Sequence, residues 1–464
     1  MVQPMHAICP ISNAPFSQRG LMSTNVKQFL PASSRSFHEK TDRLIADSKA
    51  IQSALDQVGA QQQLQIALLR SLASKPYTGK SFYLIGEPGY PNFGDELIAA
   101  AWLKYLAARH PEIPVYLDCA RPGPAAAILR NAHPNLRVVD TISRLTIELL
   151  DEARAELASV STEDSAHSLA RIIGSRIEAA LNNEGTAARY ASGLRILNNE
   201  VRSVHYIGGG YMNGMWQHNL ARLSAGTALA KRGIPVFATG LGITPLSEDA
   251  LDYAKSCLSA FTFVTVRDAS SLSALNGMSN VQLAADDCFV NGLPTCVNPT
   301  ENAPDYMVCI QGDLVNNSED LRSHVISQLE KWDVDKTKPI GVAECNPYVD
   351  YAIFEQLSEA GYSPVLYPAI DLIERGLPVK QNQTWLSTRY HPHLIASAFG
   401  CSGSYIPLGN KFYEDKHRAV LRMGSRWTPS NVGEPSTQPG PGFERNSAPE
   451  EYEMAIQASV SHFY

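Results

Sequence analysis

Short apolar runs alternate with stretches of helical spacing along most of the chain, and this alternation constrains the fold more than any other feature. The first run, "SFYLIG" (residues 81–86), passes through a Gly/Pro loop into the Ala-rich helix of "NFGDELIAAAW". "VYLDCA" (115–120) and "LRVVD" (136–140) follow, with a helical stretch before each. Strands that take turns with helices are joined by crossovers, so they lie parallel, in an α/β fold with helices over the sheet. The rhythm resumes at "VHYIGGG" (204–210), "IPVFATGLG" (234–242), "FTFVTVRD" (261–268) and "VQLAAD" (281–286). Residues 143–197 carry helical periodicity without strand signals and predict a helical insertion.

At 464 residues the chain exceeds what one core holds, since single cores stop growing near roughly 250–300 residues. A turn-rich stretch at 291–305 breaks the alternation and marks a domain boundary. The predicted organisation is therefore a leader and helical N-terminal extension at 1–79, a first αβ domain at 80–290 and a second at 305–426. Within the extension, residues 1–37 read as flexible. Residues 38–75 read as helix, with Leu44, Ile51, Leu55, Leu64, Leu68 and Leu69 as its apolar stripe. Residues 427–464, dense in Pro, Ser, Gly and Asn, read as a disordered linker before a short C-terminal helix.

Several functions are disfavoured by composition. A net charge of −7 removes the broad attraction on which nucleic-acid binders rely, so any anion site must be local. No apolar run approaches the roughly 18 residues of a membrane span, and the first 20 residues lack a secretory pattern. The eight cysteines are scattered without metal or redox spacing and read as reduced core thiols. A cytoplasmic protein is expected.

Open α/β sheets bind ligands at the carboxyl ends of their strands, so the loops there carry the candidate chemistry. In "NFGD", beside Asn92, Gly94 permits a close turn; Asp95 either caps the helix or accepts a proton from a ligand hydroxyl. In "HYIGGGYMNGMWQHN", Gly208, Gly209 and Gly210 lack the dinucleotide spacing, which argues against a nicotinamide cofactor. Asn213, His218 and Asn219 offer polar groups near the same edge, or serve as loop and capping residues. Arg267 ends a strand, where it either pairs with Asp268 or presents its planar fork to a carboxylate or phosphate. In "STRYHPHLIASAFG", Pro392 suits the start of a helix and Gly400 its end, so Arg389 and His391 stand where anions collect. Imidazole is the side chain suited to exchanging a proton near neutral pH, so His391 is the candidate acid. His391 with His393 lacks a completing ligand set, so no metal is expected.

Taken in order, "NFGDELI", "YIGGG", "TGLGITPL", "VTVRDASSL", "ADDCFV" and "TRYHPHLIASAFG" resemble the polysaccharide pyruvyl transferase family over roughly residues 80–425. Thr244 stands where members often have a glycine, and so does Pro91. The resemblance implies two Rossmann-like domains facing a cleft, as in the B-type glycosyltransferases (GT-B). It implies phosphoenolpyruvate as co-substrate, with no other cofactor, and a saccharide or lipid-linked saccharide acceptor. It assigns Arg389 and His391 to donor binding and acid catalysis and places the family's strand-end arginine on Arg267. Lys411 is then a candidate third cation, or an exposed lysine, and Asp95 a candidate base toward the acceptor. The rival readings are a nucleotide-sugar glycosyltransferase and a non-catalytic carbohydrate-binding or scaffolding protein, because architecture does not decide chemistry.

Overall fold

The computed structural model describes residues 40–45, 47–48, 80–159, 168–311, 318–347, 349–409 and 411–464. The chain divides into two compact units, residues 1–62 and 63–464. In the first, the described residues are helical, with Leu44 and Ile45 exposed. The expected leader lies outside the described residues, as do Ile51, Leu55, Leu64, Leu68 and Leu69. Everything below concerns the second unit.

Its first lobe is built on a seven-stranded parallel sheet. The strands are β1 (Ser81–Ile85), β2 (Val115–Asp118), β3 (Leu136–Val139), β4 (Val201–Tyr206), β5 (Val236–Leu241), β6 (Phe263–Val266) and β7 (Val281–Leu283), ordered β3-β2-β1-β4-β5-β6-β7. Every residue of β1, β2, β5 and β6 is buried, which is why these strands read as continuous apolar runs. After β3 the chain crosses to the far side of β1, and the switch point lies between β1 and β4. The crossing is made by the insertion, with helices Thr141–Glu148, Leu150–Ser159, Leu169–Asn182 and Ala191–Asn199. Its Ile173, Ile177 and Leu194 join one core with Tyr206, Leu223 and Val264.

The segment expected to be a plain boundary holds β8 (Val297–Pro299). The second lobe follows, with β9 (Tyr306–Cys309), β10 (Pro339–Ala343), β11 (Ser363–Tyr367), β12 (Leu377–Val379), β13 (Thr384–Ser387), β14 (Ser402–Tyr405) and β15 (Thr428–Pro429). Six of these form a parallel sheet ordered β11-β10-β9-β13-β14-β15, while β12 leaves it to pair with β8. This sheet switches direction between β9 and β13. Both lobes thus repeat the doubly wound, Rossmann-like plan, and each opens a crevice at its own switch point.

Residues 427–464 correct the expectation of a disordered linker. Trp427 is 2% exposed and donates its indole N–H to Cys401 O at 2.8 Å, and β15 extends the second sheet. Gln328 holds the polar stretch at both ends of its amide, donating to Thr437 O at 2.6 Å and accepting from Thr437 N at 3.1 Å. The helix Ala448–Val460 then returns to the first lobe, where Gln457 donates to Val290 O at 2.7 Å. Phe463 stacks on Phe237, with ring centroids 4.5 Å apart, and the Tyr464 hydroxyl meets His205 Nδ1 at 2.6 Å. Composition registered the Pro and Ser here but not the aromatic anchors. Among the described residues, no helix is long and apolar enough to cross a membrane.

Candidate active site

The two switch points face each other across a cleft of about 330 Å³. From the first lobe it is lined by the loop after β1, the loop after β4 and Arg267; from the second, by Arg389, His391 and the helix Lys411–Met423. The lobes touch at its floor, where the Phe93 N–H donates to Cys345 O at 2.8 Å.

Asp95 sits in the first turn of the helix Phe93–Arg109, whose N-cap is Asn92. The capping alternative therefore gives way: Asp95 accepts from Asn92 Nδ2 at 2.9 Å and lines the cleft. Burial, with the neighbouring Glu87 charge, pushes its carboxyl up to about 6, although His391, Lys416 and Arg267 pull the other way. Gly94 has a specific reason to lack a side chain. A Cβ there would lie 2.0 Å from His391 Nδ1, so the glycine lets the imidazole of one lobe seat against the helix start of the other.

Arg267 and Asp268 do not pair with each other. The Asp268 carboxylate caps the next helix, accepting from Ser271 N at 2.7 Å. The Arg267 guanidinium, 5% exposed, donates from Nη1 to Asp286 Oδ2 at 2.8 Å and lies over the Tyr390 ring at 4.5 Å. Asp286 is fully buried, and its Oδ1 stands 3.5 Å from His391 Nε2, a nitrogen without a hydrogen bond among the described residues. Burial opposes its charge, yet His391 and Arg267 together hold the Asp286 carboxyl well below the usual range. Its neighbour Asp287 is structural: its Oδ2 accepts from Trp102 Nε1 at 2.7 Å, Thr239 Oγ1 at 2.6 Å and Gly208 N at 2.7 Å.

The helix carrying His391 begins two residues earlier than Pro392 suggests, at Tyr390, with Arg389 as N-cap and Gly400 closing it at φ +103°. Arg389 donates to Asp350 through both Nε, at 3.1 Å, and Nη2. Asp350 is fully buried and also accepts from the backbone N–H groups of Cys345 and Asn346, each at 3.1 Å. Cys309, Cys345 and Asp350 lie close enough to hold a metal ion, but these four bonds already occupy the carboxylate. His391 and His393 diverge: His393 is buried against His417, Nδ1 to Nδ1 at 2.9 Å, and Ser425.

The other expected residues divide between cleft and scaffold. Asn92, Gly94, Gly210 and His218 line the cleft. Gly208 and Gly209 lie behind it: a Cβ on Gly208 would stand 2.8 Å from Asp287 Oδ2, and Gly209 adopts φ +139° against the Tyr211 ring. Asn213 is fully buried and accepts from Met215 N at 2.9 Å, a turn cap rather than a ligand group. The side chain of Lys411 lies outside the described residues.

Lys416, absent from the sequence reading, also lines the cleft. It shares a helix face with Phe412 and Tyr413, which a helical projection of "KFYEDKHR" could have shown. Its Nζ lies 3.9 Å from the Phe412 ring centroid and forms no ion pair with a described residue. Burial, with Arg267 and Arg389 nearby, brings this ammonium down to about 7, against the opposing pull of Asp95. Asp286 and Asp350 were also missed as orienting partners, because their roles depend on contacts between distant segments.

Residues 92–406 match the family model for polysaccharide pyruvyl transferases. No curated protein matches the chain by sequence. Among solved structures, a UDP-GlcNAc 2-epimerase from Neisseria meningitidis bound to UDP-GlcNAc is 10% identical with a TM-score of 0.43, covering 82% of this chain and 92% of its own. A glycosyltransferase from Rickettsia africae ESF-5 is 10% identical at TM-score 0.40, covering 83% and 89%. A spinosyn rhamnosyltransferase complexed with thymidine diphosphate is 11% identical at TM-score 0.36, covering 82% and 93%.

Proposed function

The chain belongs to the polysaccharide pyruvyl transferase family, a family of transferases, and on that premise we propose that it moves the pyruvate group of phosphoenolpyruvate onto two hydroxyls of a saccharide, forming a ketal and releasing phosphate. One observation carries the reading. In a chain of net charge −7, three cationic side chains from both lobes, Arg267, Arg389 and Lys416, converge on one cleft around His391. Such a cluster suits a small, multiply charged anion with a carboxylate and a phosphate.

Asp286 and Asp350 hold the two guanidinium groups in place, so little reorganisation is needed when the donor enters. His391 is the proposed acid. It delivers a proton to the methylene carbon of the donor while a saccharide hydroxyl attacks the adjacent carbon. Phosphate then leaves with the bonding electrons of its C–O bond, and a second hydroxyl of the same sugar closes the ketal. Asp95, with a carboxyl raised toward neutrality and set in the facing lobe, is placed to accept the hydroxyl protons. The reaction needs no further cofactor. The seven described cysteines are free thiols, which suits a reducing compartment, and we place the protein in the cytoplasm on that ground.

The test is thermal stabilisation and phosphate release with phosphoenolpyruvate, set against a panel of nucleotide sugars. Stabilisation by phosphoenolpyruvate and saccharide-dependent phosphate release are expected. Stabilisation by a nucleotide sugar alone would move the protein to the glycosyltransferase reading. The variant His391→Gln should keep most donor affinity and slow transfer by roughly 10²- to 10⁴-fold, the usual worth of one positioned proton donor. Wild-type turnover in that variant would remove His391 from the mechanism.

A further inference from the structure

At the floor of the cleft lies a pair of thiols that the proposed reaction does not use. Cys309 ends β9, and Cys345 stands two residues beyond β10, the neighbouring strand of the second sheet. Both are free thiols, and Cys309 Sγ donates to Cys345 Sγ at 3.4 Å. Cys345 is among the residues that line the cleft, while Cys309 is fully buried.

The backbone of Cys345 is tied to the site in two directions. Its N–H donates to Asp350 Oδ2 at 3.1 Å, the same oxygen that accepts from Arg389 Nε at 3.1 Å. Its carbonyl accepts from the Phe93 N–H at 2.8 Å, one residue before the glycine on which His391 is seated. Cys309, by contrast, is clamped, because β9 pairs with β10 on one side and β13 on the other, and Cys309 O accepts from Thr388 N at 3.0 Å. A disulfide holds its sulfurs about 2.0 Å apart, so closing this pair draws them together by about 1.4 Å. The movement falls on the loop at Cys345, which lies outside the ladder, and it draws the N–H away from Asp350.

We propose that Cys309 and Cys345 form a reversible oxidation site whose closure loosens Arg389 and lowers affinity for the anionic donor. The proposal rests on the donor reading above and adds its regulation. Hydrogen peroxide, small enough to enter the cleft, is attacked by the Cys345 thiolate; its O–O bond breaks, hydroxide leaves and a sulfenic acid forms. The Cys309 sulfur then attacks the sulfenic sulfur, the S–O bond breaks, and the departing hydroxide takes the Cys309 thiol proton as water. In sum, one peroxide is reduced to two waters as two thiols are oxidised to one disulfide. Burial pushes the Cys309 thiol up, which suits it to the second step, where contact with its partner offsets a small thiolate fraction. A cellular dithiol reverses the bond by thiol–disulfide exchange, so the site is compatible with a reducing compartment.

Peroxide treatment of the full chain, followed by digestion without reductant, tests the site. A peptide joining Cys309 to Cys345 should appear and should vanish with dithiothreitol. Phosphoenolpyruvate affinity, measured by calorimetry, should fall at least tenfold as the joined peptide accumulates and return on reduction. Phenylglyoxal, which labels arginine, should modify Arg389 severalfold faster in the oxidised protein, because Asp350 no longer holds the guanidinium. Cys309→Ala removes the resolving thiol, so dimedone should trap a sulfenic acid on Cys345 in that variant after peroxide. Absence of the joined peptide, its presence with Arg389 labelling or donor affinity unchanged, or no dimedone adduct on Cys345 in the variant would each overturn the proposal. The peptide map and the Arg389 labelling need no variant. If the reduced protein itself fails to bind phosphoenolpyruvate, the donor reading falls, and those two measurements still decide whether the thiol pair controls Arg389.

Discussion

At the residue scale, the cleft works through carboxylates that orient other groups. Asp286 accepts from Arg267 on one oxygen and faces His391 with the other, so it ties a proposed donor-binding group of the first lobe to the proposed acid of the second. Asp286→Asn should lower kcat by roughly 10-fold or more while leaving a smaller effect on KM. An unchanged kcat would reduce Asp286 to a packing role. Lys416 supplies a pH effect. Its ammonium is already depressed to about 7, and an anionic donor favours the charged form. Donor binding between about pH 7 and 8.5 should therefore take up protons, and affinity should fall as pH rises through that window. Calorimetry in buffers of different ionisation enthalpy measures the uptake, and Lys416→Met should abolish it.

At the element scale, the helix Phe93–Arg109 is where the lobes meet. Its first N–H bonds to Cys345 O and its second residue, Gly94, is the seat of His391. Gly94→Ala cannot be accommodated without displacing the imidazole. The backbone there is ordinary helix, so Ala should be neutral or favourable for the helix itself. The expected outcome is a loss of turnover of roughly 10-fold or more with little change in Tm, since one misplaced catalytic group suffices. A wild-type rate in this variant would show that His391 does not act from the observed position.

At the scale of the whole molecule, the lobes are joined by more than a linker. One core runs from Phe82 and Trp102 in the first lobe through Phe289 to Trp385 and Leu394 in the second, and the C-terminal helix closes the path back. Phe463, 7% exposed between Phe237 and Phe263, is its terminal anchor. Phe463→Ala should cost about 3–5 kcal/mol in urea unfolding, the usual range for a buried large aromatic. Activity per folded molecule should be retained, because the site lies at the opposite ends of the strands. A loss within 0.5 kcal/mol would mean that the C-terminal segment does not stabilise the first lobe.

The sequence by itself determined the parallel αβ character of both lobes, the helical insertion, and the positions of Asp95, Arg267, Arg389 and His391 at strand ends. All of these follow from local periodicity and turn chemistry, which need no knowledge of distant segments. Tertiary structure alone decided the partners. Arg267 chose Asp286 over its neighbour Asp268, Arg389 chose Asp350, and Lys416 turned into the cleft, because each choice depends on burial and on segments brought together by the two crossovers. The same reason governs residues 427–464. Their composition reads as linker, but Trp427 and Phe463 find apolar surface that exists only once both sheets have formed, and burying those rings outweighs the local preference for disorder.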